Sequence, residues 1–308
     1  MGKIKDISIV ITTYNESENI KLWCESVLNQ SILPKELVIV DSDSTDGTLD
    51  IINSIFNDSA IDVVAISQKC NISQGRNIAI SNTSCDLLAV TDGGVILDTE
   101  WLSNIYEGLQ EYEVIAGYYS FGGSNAFQVA YNDLFYVSSS LINEEKFLPS
   151  SRSLGLRKYC WESVAGYDES FLIGEDTDFD LKLKGKNFSF KFEPKAKVTW
   201  ELRSNLKAMF KQHYLYSRWD ALIGQNKKGH AFFVLYFITN LAILVSSLFI
   251  PLFYILLLLV LATPMLLKGS KSGEELKSTL IARFLVLNTC YLAKGIGFIK
   301  GFIFANRS

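Results

Sequence analysis

A β-branched apolar run that breaks abruptly into acids is the feature that most constrains the fold of this chain. Leu37–Val40 leads directly into the sequence DSDSTDGT at residues 41–48. A continuous apolar run bounded by turn residues predicts a buried parallel strand, and ligands bind beyond the carboxyl ends of such strands in open α/β sheets. Carboxylates there hold ribose hydroxyls or, through a cation, phosphates. Alternatively, this is an acidic turn in which Asp46 or Thr45 caps the next helix.

The first 120 residues alternate between apolar strands and amphipathic helices. We predict strands at 7–12, 37–40, 61–66, 87–90 and 114–121, and helices at 16–28, 46–56 and 73–81. Strands and helices that alternate at this spacing indicate βαβ units around a parallel sheet. The predicted fold class is therefore α/β.

Polar clusters follow four apolar segments: residues 12–16 (TTYNE), 41–43 (DSD), 92–94 (DGG) and 175–176 (ED). Because the carboxyl ends of parallel strands share one edge of a sheet, we expect the first three clusters to lie together. That edge would offer a tyrosine face for a base, carboxylates for ribose and metal, and glycines that let the backbone approach phosphate. Arg76 would supply charge for a pyrophosphate.

Charge is distributed unevenly along the chain. Residues 1–200 carry 16 Lys/Arg and 29 Asp/Glu, whereas residues 201–308 carry 13 and 4. The acidic front part argues against nucleic acid as a partner, because nucleic-acid binding relies on cationic contacts to phosphate. The five cysteines have no metal-type or disulfide-type spacing, which indicates small buried thiols in a reducing compartment. The two histidines, His213 and His230, suggest no metal site and no Ser/His/Asp triad.

The chain changes character after residue 202. We predict a catalytic domain over 1–202, a cationic amphipathic helix within 203–230, and transmembrane helices over 231–308, namely 231–250, 251–267 and a weaker 281–305. Residues 229–267 contain no charged side chain, and a span needs about 20 apolar residues. The amphipathic helix lies in the membrane interface or packs on the catalytic domain. Segment 281–305 either spans the membrane or lies at its surface.

The loop that follows the apolar hairpin is basic. It carries Lys268, Lys271 and Lys277. By the positive-inside tendency this loop is cytoplasmic, and a hairpin that crosses out and back places residues 1–230 on the same side. The prediction is a membrane protein whose catalytic domain faces the cytoplasm.

Five motifs together resemble a known family. VITTYNE at 10–16, VDSDSTDGT at 40–48, NISQGRNIAI at 71–80, TDGG at 91–94 and GEDTDFDLKLKGKNFSF at 174–190 resemble family 2 glycosyltransferases of the GT-A fold. The resemblance covers about residues 5–205. It implies an inverting transfer of one sugar from a nucleotide-sugar donor, most often a UDP-sugar.

The resemblance also implies roles for individual residues. Thr12, Tyr14, Glu16 and Asp41 would contact the nucleoside, and Arg76 the diphosphate. Asp92 would be the first acid of the family's Asp-X-Asp metal motif, and Asp176 of the Glu175-Asp176 pair the general base. Independently, an inverting displacement needs one base within hydrogen-bond reach of the acceptor hydroxyl. Acids at 175–180 also suit a helix start, and we expect Asp178 and Asp180 to be structural.

Two departures from the family pattern affect the predicted chemistry. Gly94 replaces the second acid of the metal motif, so Mg²⁺ or Mn²⁺ would be held by Asp92, diphosphate oxygens and water, with Asp43 or Glu175 as compensating acids. Processive relatives carry Gln-X-X-Arg-Trp; here Arg218-Trp219 is present but Leu215 replaces the glutamine, which favours transfer of a single sugar. Arg218 and Trp219 line the acceptor side or anchor the helix at the membrane interface.

The expected acceptor is membrane-associated, such as a polyprenyl phosphate or a lipid-linked glycan. Arg152 and Arg157 would bind a lipid phosphate or pair with the acidic front part. Two other functions remain open: a catalytically silent scaffold that binds nucleotide-sugar at the membrane, and a membrane nucleotidyltransferase. The second normally needs a basic glycine-rich loop, which we do not find in the sequence.

Overall fold

The computed structural model describes residues 3–224, 226–250, 253–267 and 277–305. The chain divides into two compact units. The first comprises Met1–Ser120 and Ser139–Glu201, and the second Phe121–Ser138 and Leu202–Ser308.

The described elements are eight strands and eleven α-helices. The strands are β1 (Lys3–Thr13), β2 (Ile32–Asp41), β3 (Asp62–Ser67), β4 (Leu87–Asp92), β5 (Val95–Leu97), β6 (Val114–Gly122), β7 (Leu154–Arg157) and β8 (Phe190–Glu201). The helices are α1 (Ile20–Leu28), α2 (Thr48–Phe56), α3 (Ile72–Ser81), α4 (Trp101–Glu111), α5 (Ala126–Phe135), α6 (Lys158–Ser163), α7 (Glu175–Gly185), α8 (Leu206–Leu222), α9 (Lys227–Ser247), α10 (Phe253–Leu267) and α11 (Leu280–Ala305).

One mixed sheet forms the centre of the first unit, with the strand order β3-β2-β1-β4-β7-β6-β8-β5. Strands β3, β2, β1 and β4 are parallel, which confirms the predicted βαβ half. Strand β7 then runs antiparallel to β4, and Leu154 lies opposite Val90. The remaining strands continue the antiparallel half, in which β7 pairs with β6 and β8 with β5.

Alternate residues of the central strands bury opposite faces of this sheet. Ile9 and Ile11 of β1 belong to a core with Trp23 and Trp101, whereas Val10 belongs to a second core with Phe179. These side chains are completely buried, and each aliphatic one contributes about 1.5–3 kcal/mol to stability. Four of the five cysteines are buried and all five are free thiols.

Some predicted element boundaries in this unit are wrong. Strand β1 begins at Lys3 and not at residue 7, and β2 begins at Ile32 and not at residue 37. The helix predicted to begin at residue 16 begins at Ile20, and residues 17–19 form a turn closed by the bond from Asn19 N–H to the Glu16 carbonyl, 2.9 Å. Glu16 therefore lies in the loop that follows β1. If the helix began at residue 16 as predicted, Glu16 would belong to that helix and not to the loop at the carboxyl edge of the sheet.

Helices dominate the second unit, and α8 packs along α11. A side chain at Gly297 would collide with the Tyr214 carbonyl, and one at Gly301 with the Arg218 carbonyl. The two glycines therefore let the helix backbones approach closely. Helix α5 also belongs to this unit, although no helix was predicted at residues 122–138.

Two described helices, α9 and α11, are long and apolar enough to cross a membrane by length and composition. α10 is apolar but shorter, and α11 is about half buried against the rest of the structure. The junction between the predicted segments 231–250 and 251–267, at residues 251–252, and most of the predicted basic loop lie outside the described residues.

Candidate active site

The carboxyl end of β1 lies between two of the predicted acids. Thr13 pairs with Asp41 at the end of β2, and Thr12 pairs with Asp92 at the end of β4. The three polar clusters expected at one edge therefore share that edge. Tyr14, directly after β1, is 62% exposed.

Asp41 organises the loop that follows β2. Its side chain is 1% exposed and accepts hydrogen bonds from the Thr13 hydroxyl (2.8 Å), the Ser44 hydroxyl (2.7 Å) and the Ser44 N–H (2.8 Å). Asp43 has a left-handed backbone (φ 54°) and an exposed side chain that accepts from the Ser67 hydroxyl at 3.2 Å. Asp43 is therefore the carboxylate of this loop that a ligand can reach.

Asp46 bonds to the start of the next helix, as the alternative prediction for this loop states. It does so from the position before Gly47, the N-cap residue of α2. Its carboxylate accepts from the Thr48 N–H and hydroxyl at the start of α2, and from the Ser17 N–H. The hydrogen bond from Thr48 is the main reason that the pKa of Asp46 lies far below its ordinary value. One loop thus contains both a capping acid and an accessible acid.

Helix α3 brings Arg76 into the site. A capping box between Asn71 and Gln74 fixes its first turn. Gly75 faces β1, where a Cβ atom would lie 2.8 Å from the Thr12 Cγ2 atom. Only a glycine at this position lets the helix lie so close to the carboxyl end of β1.

Arg76 joins two of the predicted acids. Its side chain is 2% exposed; Nη2 lies 2.8 Å from Asp92 Oδ1, and Nη1 lies 2.5 Å from Glu175 Oε1. Burial alone would raise the pKa of Asp92, but Arg76 and then Arg152 favour the charged carboxylate and hold that pKa below its ordinary value. Asp92 and Glu175 are thus bound together although 83 residues separate them in the sequence.

Asp176 is the second residue of α7. Its Oδ2 atom accepts from the Ser150 hydroxyl at 3.2 Å, and its Oδ1 atom from the Thr177 N–H at 2.8 Å. Asp178 forms an ion pair with Lys182, one turn further along the helix, at 2.8 Å. Asp180 is 1% exposed; burial, and next the charge of Asp176, raise its pKa well above the ordinary value.

Arg152 lies across the sheet from Asp92. Continuing the β4–β7 register by two residues sets the two opposite each other, and Arg152 Nε lies 3.7 Å from Asp92 Oδ2. Its guanidinium stacks 4.1 Å from the Trp200 ring centroid and donates to the Ser150 hydroxyl at 2.8 Å. Sequence reasoning missed Ser150 and Trp200 as site residues; the turn residues PSSR at 149–152, just before β7, are the sequence signal near Ser150.

Other predicted residues lie elsewhere. Arg157 lies opposite Leu87 at the amino end of β4, where its guanidinium donates to the carbonyl groups of Leu109 and Gln110 near the end of α4. It caps that helix and does not join Asp92. Arg218 and Trp219 belong to α8 in the second unit, where Arg218 lies over the Phe304 ring.

The histidines differ from expectation in one respect. His230 Nδ1 lies 2.9 Å from the Ser217 hydroxyl and its Nε2 lies 2.7 Å from Asp220 Oδ2. A Ser/His/Asp trio therefore exists in the second unit, which the sequence analysis did not expect. Ser217 is 1% exposed and donates to the Lys294 carbonyl (2.7 Å), so this serine fastens helices together and offers no accessible nucleophile.

The described residues do not fit a metal ion held by the protein alone. They contain no group of three or more His, Cys, Asp or Glu side chains placed to hold one. The expected ligand Asp92 is engaged by Arg76, and Gly94 contributes no side chain.

An α/β sheet with acids and guanidinium groups beyond the carboxyl ends of its parallel strands defines a ligand-binding domain of the doubly wound kind. Residues 8–163 match the family model described as Glycosyl transferase family 2. The chain belongs to this family and is a glycosyltransferase. This confirms the family and the GT-A fold inferred from the motifs.

Individual relatives agree with this assignment. A Methanococcus voltae protein, dolichyl N-acetyl-alpha-D-glucosaminyl phosphate 3-beta-D-2,3-diacetamido-2,3-dideoxy-beta-D-glucuronosyltransferase, is 27% identical over 232 residues, 68% of this chain and 71% of that protein. Most of the curated relatives match over less than half their length; for glycosyltransferase GlyG of Streptococcus pneumoniae the share is 44%.

Two solved structures share the fold. TarS of S. aureus in complex with UDP-GlcNAc superposes with a TM-score of 0.52 and 18% identity, over 69% of this chain and 66% of that one. The mannosyltransferase PcManGT of Pyrobaculum calidifontis, in complex with GDP-Man and Mn²⁺, superposes with a TM-score of 0.59 and 13% identity, over 96% and 87%.

Proposed function

We propose that this chain is an inverting glycosyltransferase that moves one sugar from a nucleotide-sugar, a UDP-sugar in the first instance, to a membrane-associated acceptor. The acceptor is a polyprenyl phosphate or a lipid-linked glycan. The observation that carries the proposal is the continuous chain of contacts from Asp92 through Arg76 to Glu175, beside Asp176. This chain of contacts supports a carboxylate base at Asp176 and a donor diphosphate beside it.

Asp176 acts as the general base. As it takes the proton of the acceptor hydroxyl, the acceptor oxygen bonds to the anomeric carbon, and the bond from that carbon to the diphosphate oxygen breaks. The electron pair leaves on the nucleoside diphosphate. Glu175 serves as a positioning residue, because its carboxylate is occupied by Arg76.

The nucleoside would bind beside Thr12, Tyr14, Glu16 and the loop of Asp41 and Asp43. Tyr14 and Asp43 are exposed, and Asp41 holds the loop in place. A structural neighbour binds UDP-GlcNAc, which supports a uridine donor. A structural neighbour contains Mn²⁺, which supports a divalent cation in this chain as well. The cation would be bound mainly by the diphosphate of the donor, with Asp92 as its protein ligand. The proton transfer to Asp176 does not depend on it.

The acceptor and the membrane are supported by independent features. The name of the archaeal relative describes action on a dolichyl-linked sugar phosphate, and α9 and α11 have the length and composition of membrane spans. A hydrophobic acceptor is confined to the bilayer, so an enzyme anchored there meets it at a higher effective concentration. We place the catalytic domain on the cytoplasmic side.

The first prediction tests the base. Asp176→Asn should lower the rate of transfer to a hydroxyl acceptor at least about a hundredfold, because the variant cannot take the proton. A donor screen for nucleoside diphosphate release, with membrane lipid extract as acceptor, gives the rate, and calorimetry gives donor affinity, which should stay within about threefold of wild type. Asp178→Asn is the matched control, since Asp178 pairs with Lys182 on the same helix.

The outcomes separate the competing functions. Wild-type rates in Asp176→Asn would contradict the base assignment for a hydroxyl acceptor. A phosphate monoester is largely ionised at neutral pH and needs no base, so retention with polyprenyl phosphate alone would identify that acceptor. Binding of donor without any turnover by wild type would favour the silent scaffold, and release of pyrophosphate a nucleotidyltransferase.

A further inference from the structure

A residue 26 positions earlier in the sequence holds the carboxylate of Asp176. The Oδ1 atom of Asp176 accepts from the N–H of Thr177, the next residue of the same helix, and its Oδ2 atom accepts from the Ser150 hydroxyl at 3.2 Å. Among the residues that the structure describes, Ser150 is the one outside α7 that hydrogen-bonds to this carboxylate. The orientation of the carboxylate relative to the rest of the site therefore depends on Ser150.

The hydroxyl of Ser150 directs its proton at this carboxylate. A serine hydroxyl has one proton to donate and two lone pairs that accept, whereas a guanidinium group only donates. Arg152 Nη1 donates to the Ser150 Oγ atom at 2.8 Å, and the Arg152 backbone N–H approaches the same atom at 3.5 Å. Both contacts use lone pairs of the hydroxyl oxygen. Its proton is therefore left for Asp176, which as a carboxylate can only accept.

The turn that carries Ser150 is fixed to the core of the first unit. The Ser153 N–H donates to the Ser150 carbonyl at 3.0 Å and closes the turn. The Ser151 side chain is 1% exposed, and its hydroxyl lies 2.9 Å from the Tyr167 hydroxyl. The Ser153 side chain is equally buried and donates to the Ala196 carbonyl at 2.7 Å. A hydroxyl on a turn anchored in this way holds its partner in one orientation.

The orientation of a carboxylate matters when it acts as a base. A lone pair of one of its oxygens has to point at the proton of the acceptor hydroxyl, within hydrogen-bond reach. Rotation about the bond between the Cβ and Cγ atoms of Asp176 changes that direction. The hydrogen bond from Ser150 restrains this rotation, because it ties the Oδ2 atom to a different segment of the chain.

We propose that Ser150 is a positioning residue for sugar transfer. Its hydroxyl holds the Asp176 carboxylate in the orientation in which that carboxylate takes the proton of the acceptor. No proton leaves Ser150 in this role. The inference rests on the proposed function, because the base that Ser150 orients is the base proposed there.

The test compares Ser150→Ala, Asp176→Asn and the double variant in the full-length chain in detergent. Release of nucleoside diphosphate from the UDP-sugar that wild type uses fastest, with membrane lipid extract as acceptor, gives kcat and the KM for the donor. Ser150→Ala should lower kcat about tenfold to a hundredfold, as a small misplacement of a reacting group does, and leave the donor KM within about threefold. Added to Asp176→Asn, it should lower kcat less than about twofold, because no base is left to orient.

Two further variants separate this role from a general structural effect. Ser150→Thr keeps the hydroxyl and should restore most of the rate that Ser150→Ala loses. Ser163→Ala removes a hydroxyl from an exposed position of α6, where it donates to the Tyr159 carbonyl, and should transfer sugar as wild type does. A damaged fold would raise the donor KM, lower the unfolding temperature and reduce kcat in the Asp176→Asn background as well.

Four results would overturn the inference and leave the proposed base in place. They are a wild-type kcat in Ser150→Ala, a raised donor KM with unchanged kcat in that variant, a rate in Ser150→Thr as low as that of Ser150→Ala, and losses that simply multiply in the double variant. Wild-type rates in Asp176→Asn would instead contradict the proposed base, and the inference with it. A wild type that releases no nucleoside diphosphate from any UDP-sugar would contradict the proposed function as a whole.

Discussion

At the scale of single residues, Asp180 differs from the proposed base, Asp176, although both lie on the same helix. It lies on α7 one turn after Asp176, but it is 1% exposed and its Oδ2 atom has no hydrogen-bond partner among the described residues. Burial raises its pKa, and the charge of Asp176 adds to the effect. A raised pKa favours the neutral form of this carboxyl group, and burying the neutral form costs less than burying a carboxylate.

Because the pKa of Asp180 is raised in the folded state, the free energy of unfolding depends on pH. A group whose pKa is higher in the folded state than its ordinary value of 3.8 stabilises the fold at low pH, and that stability is lost as pH rises through the folded pKa. Asp180→Asn mimics the protonated carboxyl group, so it should unfold at a higher temperature than wild type at pH 8, and the advantage should shrink towards pH 4. Thermal unfolding across this range measures the effect.

The control for this prediction is again Asp178→Asn. Asp178 is ion-paired with Lys182, so its removal should not give an advantage that grows with pH. If the unfolding temperatures of wild type and Asp180→Asn changed equally with pH, the raised pKa of Asp180 would be contradicted.

Single residues also show where sequence reasoning reaches its limit. Asp92 was predicted because it follows an apolar strand and, like Asp176, lies in a motif that resembles the family; the roles of both stay predictions. Arg152 and Arg157 are only five residues apart and look alike in sequence, yet one lies opposite Asp92 and the other caps α4 at the far end of the strand. Their roles depend on the register of β7 against β4, a pairing between segments about 60 residues apart that local patterns do not contain.

At the scale of elements, the contact between α3 and β1 places the guanidinium of Arg76. The contact needs Gly75, because a Cβ there would lie 2.8 Å from Thr12 Cγ2 and 3.3 Å from Cys70 Sγ. A displaced helix would carry Arg76 away from Asp92 and Glu175. Small displacements of groups that position a substrate have large effects, up to about a hundredfold for about 1 Å.

Gly75→Ala should therefore weaken UDP binding about tenfold and lower stability by about 1–3 kcal/mol, the usual cost of an overpacked contact. Thr12→Ser deletes the Cγ2 atom and keeps the hydroxyl, so the double variant should recover much of both losses. Calorimetry with UDP and thermal unfolding measure the two effects. Additive losses in the double variant would mean that this contact is not what excludes a side chain.

The elements themselves were predictable to different degrees. The four parallel strands have continuous apolar runs that end in polar clusters, so their number and direction followed from the sequence. Helix α5 was missed although Asn125 and Gln128 form a capping box, a local signal present in the sequence. Of the antiparallel strands, β6 was predicted from residues 114–121, whereas β5 and β7 have only 3 and 4 residues and were not predicted.

At the scale of the whole molecule, acids concentrate in the front part and bases in the back part. Residues 201–308 carry 13 Lys/Arg against 4 Asp/Glu, and the same part contains the exposed apolar side chains of α9 and α10. Cationic charge attracts an anionic membrane surface, and apolar helices insert into its interior. Salt separates these two contributions to membrane binding. It screens the electrostatic attraction to the membrane surface but does not weaken the insertion of apolar helices.

The membrane prediction uses this difference. Wild-type protein should float with anionic lipid vesicles at both low and high salt. The double variant Ile238→Lys/Leu241→Lys, on the exposed face of α9, should float only at low salt, because each lysine costs about 2.5–3.5 kcal/mol near the centre of the hydrocarbon. Leu22→Lys/Val64→Lys adds the same charge to exposed apolar positions of the first unit and should float as wild type does. Flotation of the α9 variant at high salt would show that α9 does not enter the bilayer, and wild-type protein that stays unbound at both salt concentrations would contradict membrane association altogether.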